Sequence, residues 1–587
     1  MLKLFRNLTK KDICLFLVAV VFIILGVNLE LTMPDYMSKI TMLVQTEGSK
    51  MSEILLNGGY MLACAFGSML ISILVGYLIA RVTSDFSLNT RSKLFNKVLS
   101  MGMQDVKAFN TSSLITRTTN DITQLEMVLG MGMQLLIKAP VTAVIAVTKI
   151  LNKNWQWSLA TGIAVVVLLT TIGILTVIVM PKFKIVQKLI DKLNGVTREN
   201  LTGIRVVRAF NAEKYQEGKF NDVNNRLTNQ QLFNQRTFSI MQPMMYLVMH
   251  VLSMSIYFMG AFLIAESAMA DKLTIFSEMV VFSSYAMQVI MSFLMIAMII
   301  TIMPRANVSA NRINEVLDTV DSILDGNVKK GNEEGTVEFK HVYFKYPNAE
   351  EYVLEDISFK VNKGDVVAFI GSTGSGKSTL INLVPRFYDV TSGEVLVDGI
   401  NVKDYNQNSL HNILGYVPQK AVMFNGSVKY NVSYGENGKG KKNNKLIEEA
   451  IKVAQAEDFV TKMDEGYDSH IAQGGTNVSG GQKQRLAIAR AIARKPEIYI
   501  FDDSFSALDY KTDSVLRKEL KKYTKDATSL IVAQRIGTIL NADKIIVLDE
   551  GKCVGMGTHK ELLKNCEVYR EIALSQLSKE ELENAQE

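Results

Sequence analysis

The sequence predicts a multidomain membrane protein, with a six-helix α-helical transmembrane domain followed by an α/β domain that carries a phosphate-binding loop. The first half of the 587-residue chain contains six apolar segments that approach the ~20 residues needed to cross a bilayer. From Val337 onward, short β-like runs alternate with helical stretches, as in a mostly parallel sheet. A glycine-rich loop between one such strand and a helix completes the pattern.

The six apolar segments differ in their charge content. The first segment, Ile13–Met33, carries Glu30, and the third, Met133–Leu151, is interrupted by Lys138 and Lys149. Because no small-residue cleavage site follows the first segment, we expect an uncleaved membrane helix rather than a signal peptide. The other four contain no Asp, Glu, Lys or Arg: they are Asn57–Ala80, Trp155–Met180, Phe238–Ala265 and Met279–Pro304.

Basic residues cluster in the long connections between these segments. Arg81–Gly132 and Lys182–Arg236 are rich in Lys and Arg, whereas the other connections are short or poor in them. The positive-inside rule therefore places these two connections and the N-terminus in the cytoplasm, and with them the α/β domain of a multi-pass protein of the cell membrane. Both connections are polar and helix-prone, so we expect helices that continue beyond the bilayer.

Composition limits the other classes of function. The net charge is +6, but much of the basic excess lies beside apolar segments, so it indicates membrane topology and no nucleic-acid partner. The four cysteines lack a CxxC spacing, and neither a metal site nor a disulfide framework follows from them. Changes in composition predict a transmembrane domain over residues 1–310, a linker over 311–335, the α/β domain over 336–577 and a tail over 578–587.

The most informative motif is the glycine-rich loop between the apolar run Val366–Ile370 and the helical stretch Leu380–Leu383. It fits the pattern Gly-x4-Gly-Lys-Ser/Thr in the strand–loop–helix setting that makes this pattern specific. Its glycines let backbone N–H groups point at phosphate oxygens, and the helix N-terminus favours anions. We therefore expect the loop to bind a nucleoside triphosphate through Gly371, Ser372, Thr373, Gly374, Ser375, Gly376, Lys377, Ser378 and Thr379.

Four further motifs accompany the loop in a fixed order. Tyr416–Gln419 offers an amide after an apolar run, Val478–Gln482 contains Ser-Gly-Gly-Gln, Ile498–Asp502 ends in a carboxylate, and Ser506–Asp509 follows it. With these motifs, residues 336–577 resemble the nucleotide-binding domain of ABC transporters, whose signature is the Ser-Gly-Gly-Gln element. The membrane half resembles the six-helix domain of ABC exporters.

The resemblance implies roles for individual residues. Tyr346 would stack on the adenine of ATP, although a half-buried tyrosine at a sheet edge is the simpler alternative. Ser378, Gln419 and Asp502 would hold Mg²⁺. In this family each ATP lies between the phosphate loop of one subunit and the signature of the other, so function requires a dimer. The signature residues of this chain that would contact ATP on the partner are Ser479, Gly480, Gly481 and Gln482.

Two positions depart from the pattern of the active family members. Asp503 stands where they carry a glutamate general base, and Gln534 stands where they carry a switch histidine. Aspartate has one methylene less, which shortens its reach by roughly 1.5 Å, and a misplacement of about 1 Å can cost on the order of 10²-fold in rate. A glutamine side chain cannot take up a proton at neutral pH. Both changes spare ATP binding and impair hydrolysis.

These departures resemble the degenerate-site subunit of heterodimeric bacterial multidrug ABC exporters. The resemblance implies a homologous half-transporter as partner, whose own site this chain completes with its intact signature. The alternative explanation is that Asp503 and Gln534 are neutral variants in a working ATP site, and either change taken alone would leave this alternative open. The two changes together favour the degenerate site.

A methionine stripe in the last apolar segment is a candidate surface for cargo. Its members repeat at helical spacing, which places them on one face, and methionine suits promiscuous surfaces. Ordinary helix or lipid contact is the alternative reading, since a stripe at this spacing usually packs. The four residues are Met287, Met291, Met295 and Met298.

The leading hypothesis is an ATP-driven exporter of small amphipathic compounds, embedded in the lipid bilayer and dependent on ATP and Mg²⁺. An exporter of lipid or peptide with the same machinery is an alternative, as is an ATP-gated channel or a regulatory subunit. The six membrane segments disfavour a soluble ABC ATPase. The fusion of the two domains in this order disfavours an importer.

Overall fold

The computed structural model describes residues 2–46, 48–151, 154–269, 271–347, 349–436 and 444–577. The predicted tail, 578–587, lies outside the described residues. The chain divides into two units, of which the first comprises Met1–Leu99 and Ser112–Thr319. The second comprises Val320–Glu587 together with the short segment Ser100–Thr111. Nothing in the sequence signals that this segment folds with the second unit.

The first unit is helical. Among the described residues, six helical spans are long and apolar enough to cross a membrane, which confirms the six predicted segments. Shorter helices accompany these spans, and one of them, α3, belongs to the second unit. The helices in chain order are α1 (Lys10–Gln45), α2 (Met51–Ser100), α3 (Met103–Ala108), α4 (Thr111–Thr118), α5 (Asn120–Met127), α6 (Met133–Leu151), α7 (Trp155–Thr202), α8 (Ile204–Ala209), α9 (Glu213–Ser239), α10 (Met241–Glu266) and α11 (Lys272–Leu317).

The long basic connections are helical, as expected. Helix α2 continues to Ser100 and α7 to Thr202, each well past its apolar part. Helix α1 begins at a capping box, in which the Thr9 side chain accepts from the Asp12 backbone N–H and the Asp12 carboxylate accepts from the Thr9 backbone. The backbone hydrogen bonds of these helices are made within the helix, and the cap supplies partners at the first turn of α1. The helices can therefore continue past the point where the apolar residues end.

The second unit contains the predicted α/β fold. Its strands are β1 (Val337–Phe344), β2 (Leu354–Val361), β3 (Val366–Gly371), β4 (Ser392–Val397), β5 (Ile400–Asn401), β6 (Leu414–Val417), β7 (Gly426–Ser427), β8 (His470–Ile471), β9 (Ile498–Asp502), β10 (Thr528–Val532), β11 (Lys544–Asp549) and β12 (Lys552–Gly557). Its further helices are α12 (Lys377–Leu383), α13 (Gln407–Ile413), α14 (Val428–Val432), α15 (Asn444–Val453), α16 (Glu457–Val460), α17 (Gly480–Ala493), α18 (Tyr510–Tyr523), α19 (Ile536–Ile539), α20 (His559–Asn565) and α21 (Glu567–Gln576).

The strands of this unit form two main sheets. One has the order β12-β11-β3-β10-β9-β6 and is parallel except for β12 at its edge. Its central strands are buried on both faces, which explains their continuous apolar runs. The other has the order β2-β1-β4-β5 and is antiparallel. The prediction of a mostly parallel sheet therefore holds for the first sheet and misses the second.

Two short runs that the sequence separates are one strand. Val337–Phe339 and Val342–Phe344 both belong to β1, and the register of β1 against β2 shifts between Phe339 and Val342. His341 adopts a left-handed φ of 46° at this bulge. A bulge interrupts the alternation of buried and exposed residues, so a single strand reads as two.

Among the described residues, two ion pairs join α1 and α6. The Lys138 ammonium lies 2.9 Å from Glu30 Oε1, which also accepts from the Ser68 hydroxyl at 3.1 Å. The Lys149 ammonium contacts the Asp35 carboxylate and donates to the Leu31 carbonyl oxygen at 3.1 Å. The charges that interrupt the third apolar segment thus have partners on α1, which offsets the cost of placing them in an apolar span.

The second ion pair is completed by a tyrosine on α11. The Tyr285 hydroxyl lies 2.6 Å from Asp35 Oδ1, 2.9 Å from the Leu31 carbonyl oxygen and 3.2 Å from Lys149 Nζ. The Tyr285 side chain is fully buried. This cluster ties α1, α6 and α11 together by hydrogen bonds that replace contacts with water.

We predict that Tyr285→Phe lowers the free energy of unfolding by about 1–3 kcal/mol, because Leu31, Asp35 and Lys149 lose the hydrogen bonds of a hydroxyl on a fully buried side chain. Denaturant or thermal unfolding in detergent micelles measures the change. Tyr257→Phe on α10 is the matched control, since it removes the same atom from a side chain that is 47% exposed. Equal effects of the two variants would show that the Tyr285 hydroxyl does not hold the cluster.

Candidate functional site

The carboxyl ends of neighbouring strands of the parallel sheet bring the predicted site together. The glycine-rich loop follows β3, and Asp502 ends β9. Strand β10 lies between them, with Val532 in register with Asp502 and Phe369. Gln534 follows β10 and Gln419 follows β6, so both side chains emerge at the same edge. Ligands of open α/β sheets bind at this edge.

The loop between β3 and α12 requires glycine at two points. Gly376 precedes α12 with a left-handed φ of 94°, and a Cβ there would lie 2.8 Å from the Leu354 side chain. A Cβ on Gly371 would lie 2.0 Å from the Leu548 carbonyl oxygen. The backbone at both positions therefore approaches its neighbours more closely than any larger residue would permit.

Lys377 lies folded within the loop. Its ammonium donates to the carbonyl oxygens of Gly371 at 2.9 Å and Ser372 at 2.7 Å, and to Ser375 Oγ at 3.2 Å. Burial lowers the pKa of Lys377, while the charges of Asp503 and Asp502 act in the opposite direction. A cation held by neutral oxygens beside exposed loop backbone is ready to exchange those contacts for phosphate oxygens.

Ser378 and Asp502 are in direct contact. The Ser378 hydroxyl donates to Asp502 Oδ1 at 2.7 Å. Asp502 is only 5% exposed, and burial raises its pKa; the negative charge of Asp503 acts in the same direction, whereas Ser378 and Lys377 oppose it. A hydroxyl and a carboxylate at the mouth of a phosphate loop are oxygen donors of the kind that Mg²⁺ prefers. The residues present therefore fit the implied metal.

Asp503, the predicted base position, is held by two amides. The amide of Gln534 donates to Asp503 Oδ2 at 2.6 Å, and the amide of Gln419 donates to the same oxygen at 3.2 Å. Asp503 is 6% exposed and has a left-handed φ of 48°. The structure therefore brings Asp503, Gln534 and Gln419 into one hydrogen-bonded group. Gln419, which we predict to be a metal ligand, also contacts Asp503, which stands at the position of the general base.

The C-terminal helix supports Gln534. The Gln576 side chain on α21 donates to the Gln534 carbonyl oxygen at 2.9 Å and accepts from the Ile536 backbone N–H at 2.8 Å. Sequence reasoning missed Gln576, because a lone glutamine in a polar helix carries no motif. The pairing becomes visible only once the chain folds back on itself.

Tyr346 lies beside the loop in an aromatic cluster. Its hydroxyl is 3.0 Å from Thr379 Oγ1, and its ring packs edge-on against Phe344 and Tyr388, with centroids 5.0 Å and 5.3 Å away. The Lys107 ammonium on α3 lies 5.6 Å from the centroid of the Tyr346 ring. Stacking of Tyr346 on adenine stays a prediction, and its contacts with Lys107 and Tyr388 were not signalled by the sequence.

The Ser-Gly-Gly-Gln element forms the exposed start of α17. Ser479 caps this helix in a capping box with Gln482, in which each side chain bonds the other residue's backbone N–H. Ser479 and Gly480 are exposed, and a Cβ on Gly480 would meet no atom within 4 Å. The geometry leaves the signature free on its outer face.

The methionine stripe lies partly on the surface of the membrane unit. Met291 is 47% exposed and Met298 is 58% exposed, while Met287 and Met295 are partly buried. A cavity of about 1250 Å³ in this unit is lined by other side chains among the described residues. They include three methionines of different helices and an asparagine strip on α11: Met133, Met180, Met303, Asn307, Asn311 and Asn314. A role for the stripe in cargo binding stays a prediction.

Comparison with known proteins identifies the family. Residues 354–506 match the ABC transporter family, and residues 16–293 match the ABC transporter transmembrane region. An uncharacterised ABC transporter ATP-binding protein of Mycobacterium tuberculosis is 37% identical over 521 residues, which cover 88% of this chain and 87% of the relative. The chain belongs to the ABC transporters, as a half-transporter with membrane and ATPase domains on one polypeptide.

Other relatives agree over most of the chain. An uncharacterised ABC transporter ATP-binding protein of Bacillus subtilis is 33% identical, and the match covers 89% of this chain and 90% of that protein. The ATP-dependent lipid A-core flippase of Pseudomonas aeruginosa is 32% identical, and the match covers 84% of this chain and 80% of that protein. The structure of a bacterial Atm1-family ABC exporter with ATP bound has the same fold, with a TM-score of 0.82, 23% identity, and coverage of 97% of this chain and all of that one.

We predict that Ser378→Ala weakens binding of ATP about tenfold, or ~1.4 kcal/mol, in excess Mg²⁺. In EDTA the same change should have little effect, because the Ser378 hydroxyl acts through the metal. Equilibrium binding of ATP to the full chain under both conditions measures the difference. Ser392→Ala, which changes an exposed serine of β4 outside the loop, is the control. An equal loss with and without Mg²⁺ would remove Ser378 from the metal site.

Proposed function

We propose that this chain is one half of a heterodimeric, ATP-driven exporter of amphipathic compounds, and that its own ATP site binds ATP–Mg²⁺ but cleaves it slowly. The observation that carries the proposal is the group at Asp503. One carboxylate oxygen accepts from both Gln534 and Gln419. A general base needs an oxygen within reach of the attacking water, and here one of the two carboxylate oxygens already accepts two amide hydrogen bonds.

Gln534 deepens the defect at this position. An amide side chain can hydrogen-bond a phosphate, but it cannot accept a proton at neutral pH as a histidine can. Here its N–H is turned to Asp503 at 2.6 Å, and its backbone is fixed by Gln576. The shorter reach of aspartate and the loss of a titratable neighbour both slow hydrolysis.

The groups that bind nucleotide are retained. Lys377 lies within the loop, and the Ser378 and Asp502 side chains that would hold Mg²⁺ are already in contact. When bound there, Mg²⁺ would neutralise charge on the phosphates. The retention of these groups beside a weakened base supports a site that holds ATP for longer than it cleaves it.

The intact signature supports a partner with a competent site. Its exposed start at Ser479 and Gly480 has room for a phosphate supplied by another subunit. A chain that retains this surface and loses its own base fits a heterodimer, in which the homologous partner supplies the working base. The basic connections favour a cell-membrane location with the ATPase domain and the N-terminus on the cytoplasmic side.

The cavity in the membrane unit supports amphipathic cargo. Its lining combines methionines with the asparagine strip, and the acids at its rim are paired, Asp318 with Lys3 at 3.0 Å and Glu315 with Arg117 at 2.7 Å. Apolar walls with neutral hydrogen-bonding groups suit a molecule with an apolar body and a polar head. Similarity to a protein named as a lipid A-core flippase makes lipid the second candidate cargo.

We predict that Asp503→Glu with Gln534→His raises ATP cleavage at this chain's own site about 10- to 100-fold, because a longer carboxylate and a titratable partner restore the base. The background variant Gly480→Asp silences the site completed on the partner. Its side chain has open space in this chain, so folding is preserved. Single-turnover cleavage in the assembled complex then reports this chain's site alone.

The single variants Asp503→Glu and Gln534→His serve as controls and should each give a smaller gain than the pair. Unchanged cleavage by the double variant, in a complex that still binds ATP, would refute the degenerate site. Recovery of the tagged chain from its host only as a homodimer would refute the heterodimer.

A further inference from the structure

A second cavity lies in the ATPase unit, and we refer to it as the basic cavity. Its volume is about 1040 Å³, and its walls are formed by α18, β10, α19 and the start of α20. Among the described residues, none of the ATP-site side chains described above lines it. The ATPase reaction therefore does not explain this cavity.

The charges around the basic cavity have one sign. Five of its lining residues are Lys or Arg, and none is Asp or Glu: they are Arg517, Lys518, Lys521, Lys522 and Lys560. Arg517 and Lys522 are paired within α18, with Asp513 at 3.1 Å and Glu519 at 2.8 Å. Lys518, Lys521 and Lys560 are exposed, and their ammonium groups raise the potential for an anion at the mouth.

Two buried polar atoms line the same cavity without a hydrogen-bond partner among the described residues. They are Ser529 Oγ, in a side chain 3% exposed, and His559 Nε2, in a side chain 7% exposed. Buried polar atoms are rarely left unpaired, because each costs about 1–3 kcal/mol. Because both residues line the cavity, a ligand bound there could supply the missing hydrogen bonds.

The tautomer of His559 fits such a ligand. Its Nδ1 lies 2.6 Å from the Tyr569 hydroxyl, so Nε2 is the ring nitrogen that has no partner among the described residues. Burial lowers the pKa of His559, and the charge of Lys560 adds to this effect, so the ring is neutral at pH 7. When the Tyr569 hydroxyl donates to Nδ1, Nε2 carries the proton and can donate to an anionic oxygen.

Apolar side chains form part of the remaining wall, beside the polar residues Ser514, Thr524, Thr538, Asn541 and Thr558. Leu520, Ile531 and Ile539 are buried, and Phe505 lies beside them. A free inorganic ion would leave these walls without contact, whereas an apolar body would cover them. The volume is also many times the ~30 Å³ share of one water molecule.

We infer that the basic cavity binds a small organic anion with an apolar body. Lys518, Lys521 and Lys560 would hold its carboxylate, sulfonate or phosphate group. Ser529 and His559 would hydrogen-bond its polar atoms, and the apolar walls would pack against its body. This site is separate from the ATP site and from the cargo cavity of the membrane unit.

Binding of 1-naphthyl phosphate to the full chain in lipid nanodiscs tests the inference. A saturating non-hydrolysable ATP analogue with Mg²⁺ fills the ATP site, and nanodiscs without protein give the background. Equilibrium dialysis should show saturable binding of one molecule per chain. Absence of saturable binding up to millimolar probe would overturn the inference.

Paired variants locate the site. Lys518→Ala with Lys521→Ala should weaken binding about tenfold, whereas Lys525→Ala with Lys564→Ala should change it less than twofold. Both pairs remove two exposed lysines from the same unit, but only the first pair lines the cavity. Ser529→Ala should also weaken binding, at an unchanged midpoint of thermal unfolding. If the two lysine pairs weakened binding equally, the inference that the probe binds in the basic cavity would be overturned.

Discussion

The burial of β9 is the constraint on which the ATP site depends. This strand is buried along its whole length and ends in two adjacent acids, Asp502 and Asp503, each at most 6% exposed. Neighbouring buried carboxylates need protein partners, since neither can rely on water. The structure supplies Ser378 to the first and two amides to the second.

The two acids have opposite consequences because their partners differ. The partner of Asp502 belongs to the phosphate loop, so the contact orders the loop for nucleotide and metal. The partners of Asp503 are glutamines that donate to it and cannot relay a proton. Under the proposed function, binding and cleavage depend on neighbouring residues with different partners, and α21 supports the second of them through the contact of Gln576 with Gln534.

Sequence patterns predict the parts of this protein that rest on composition and local order. Six apolar segments, the phosphate loop and the buried strands are visible because lipid, phosphate and a two-sided core each demand a distinctive residue pattern. The bulged strand β1 reads as two, since His341 breaks the alternation. The partners of Lys138 and Lys149 and the support from Gln576 stay hidden, because they join residues more than 40 positions apart.

In the proposed heterodimer, ATP stays intact on this chain while the partner turns over. The complex purified from its host can be incubated with 8-azido-ATP labelled on either the α- or the γ-phosphate, irradiated, and separated into subunits. We expect this chain to retain nearly equal α- and γ-label, whereas the partner loses its γ-label. Loss of γ-label from this chain at the partner's rate would show that its ATP site is not degenerate.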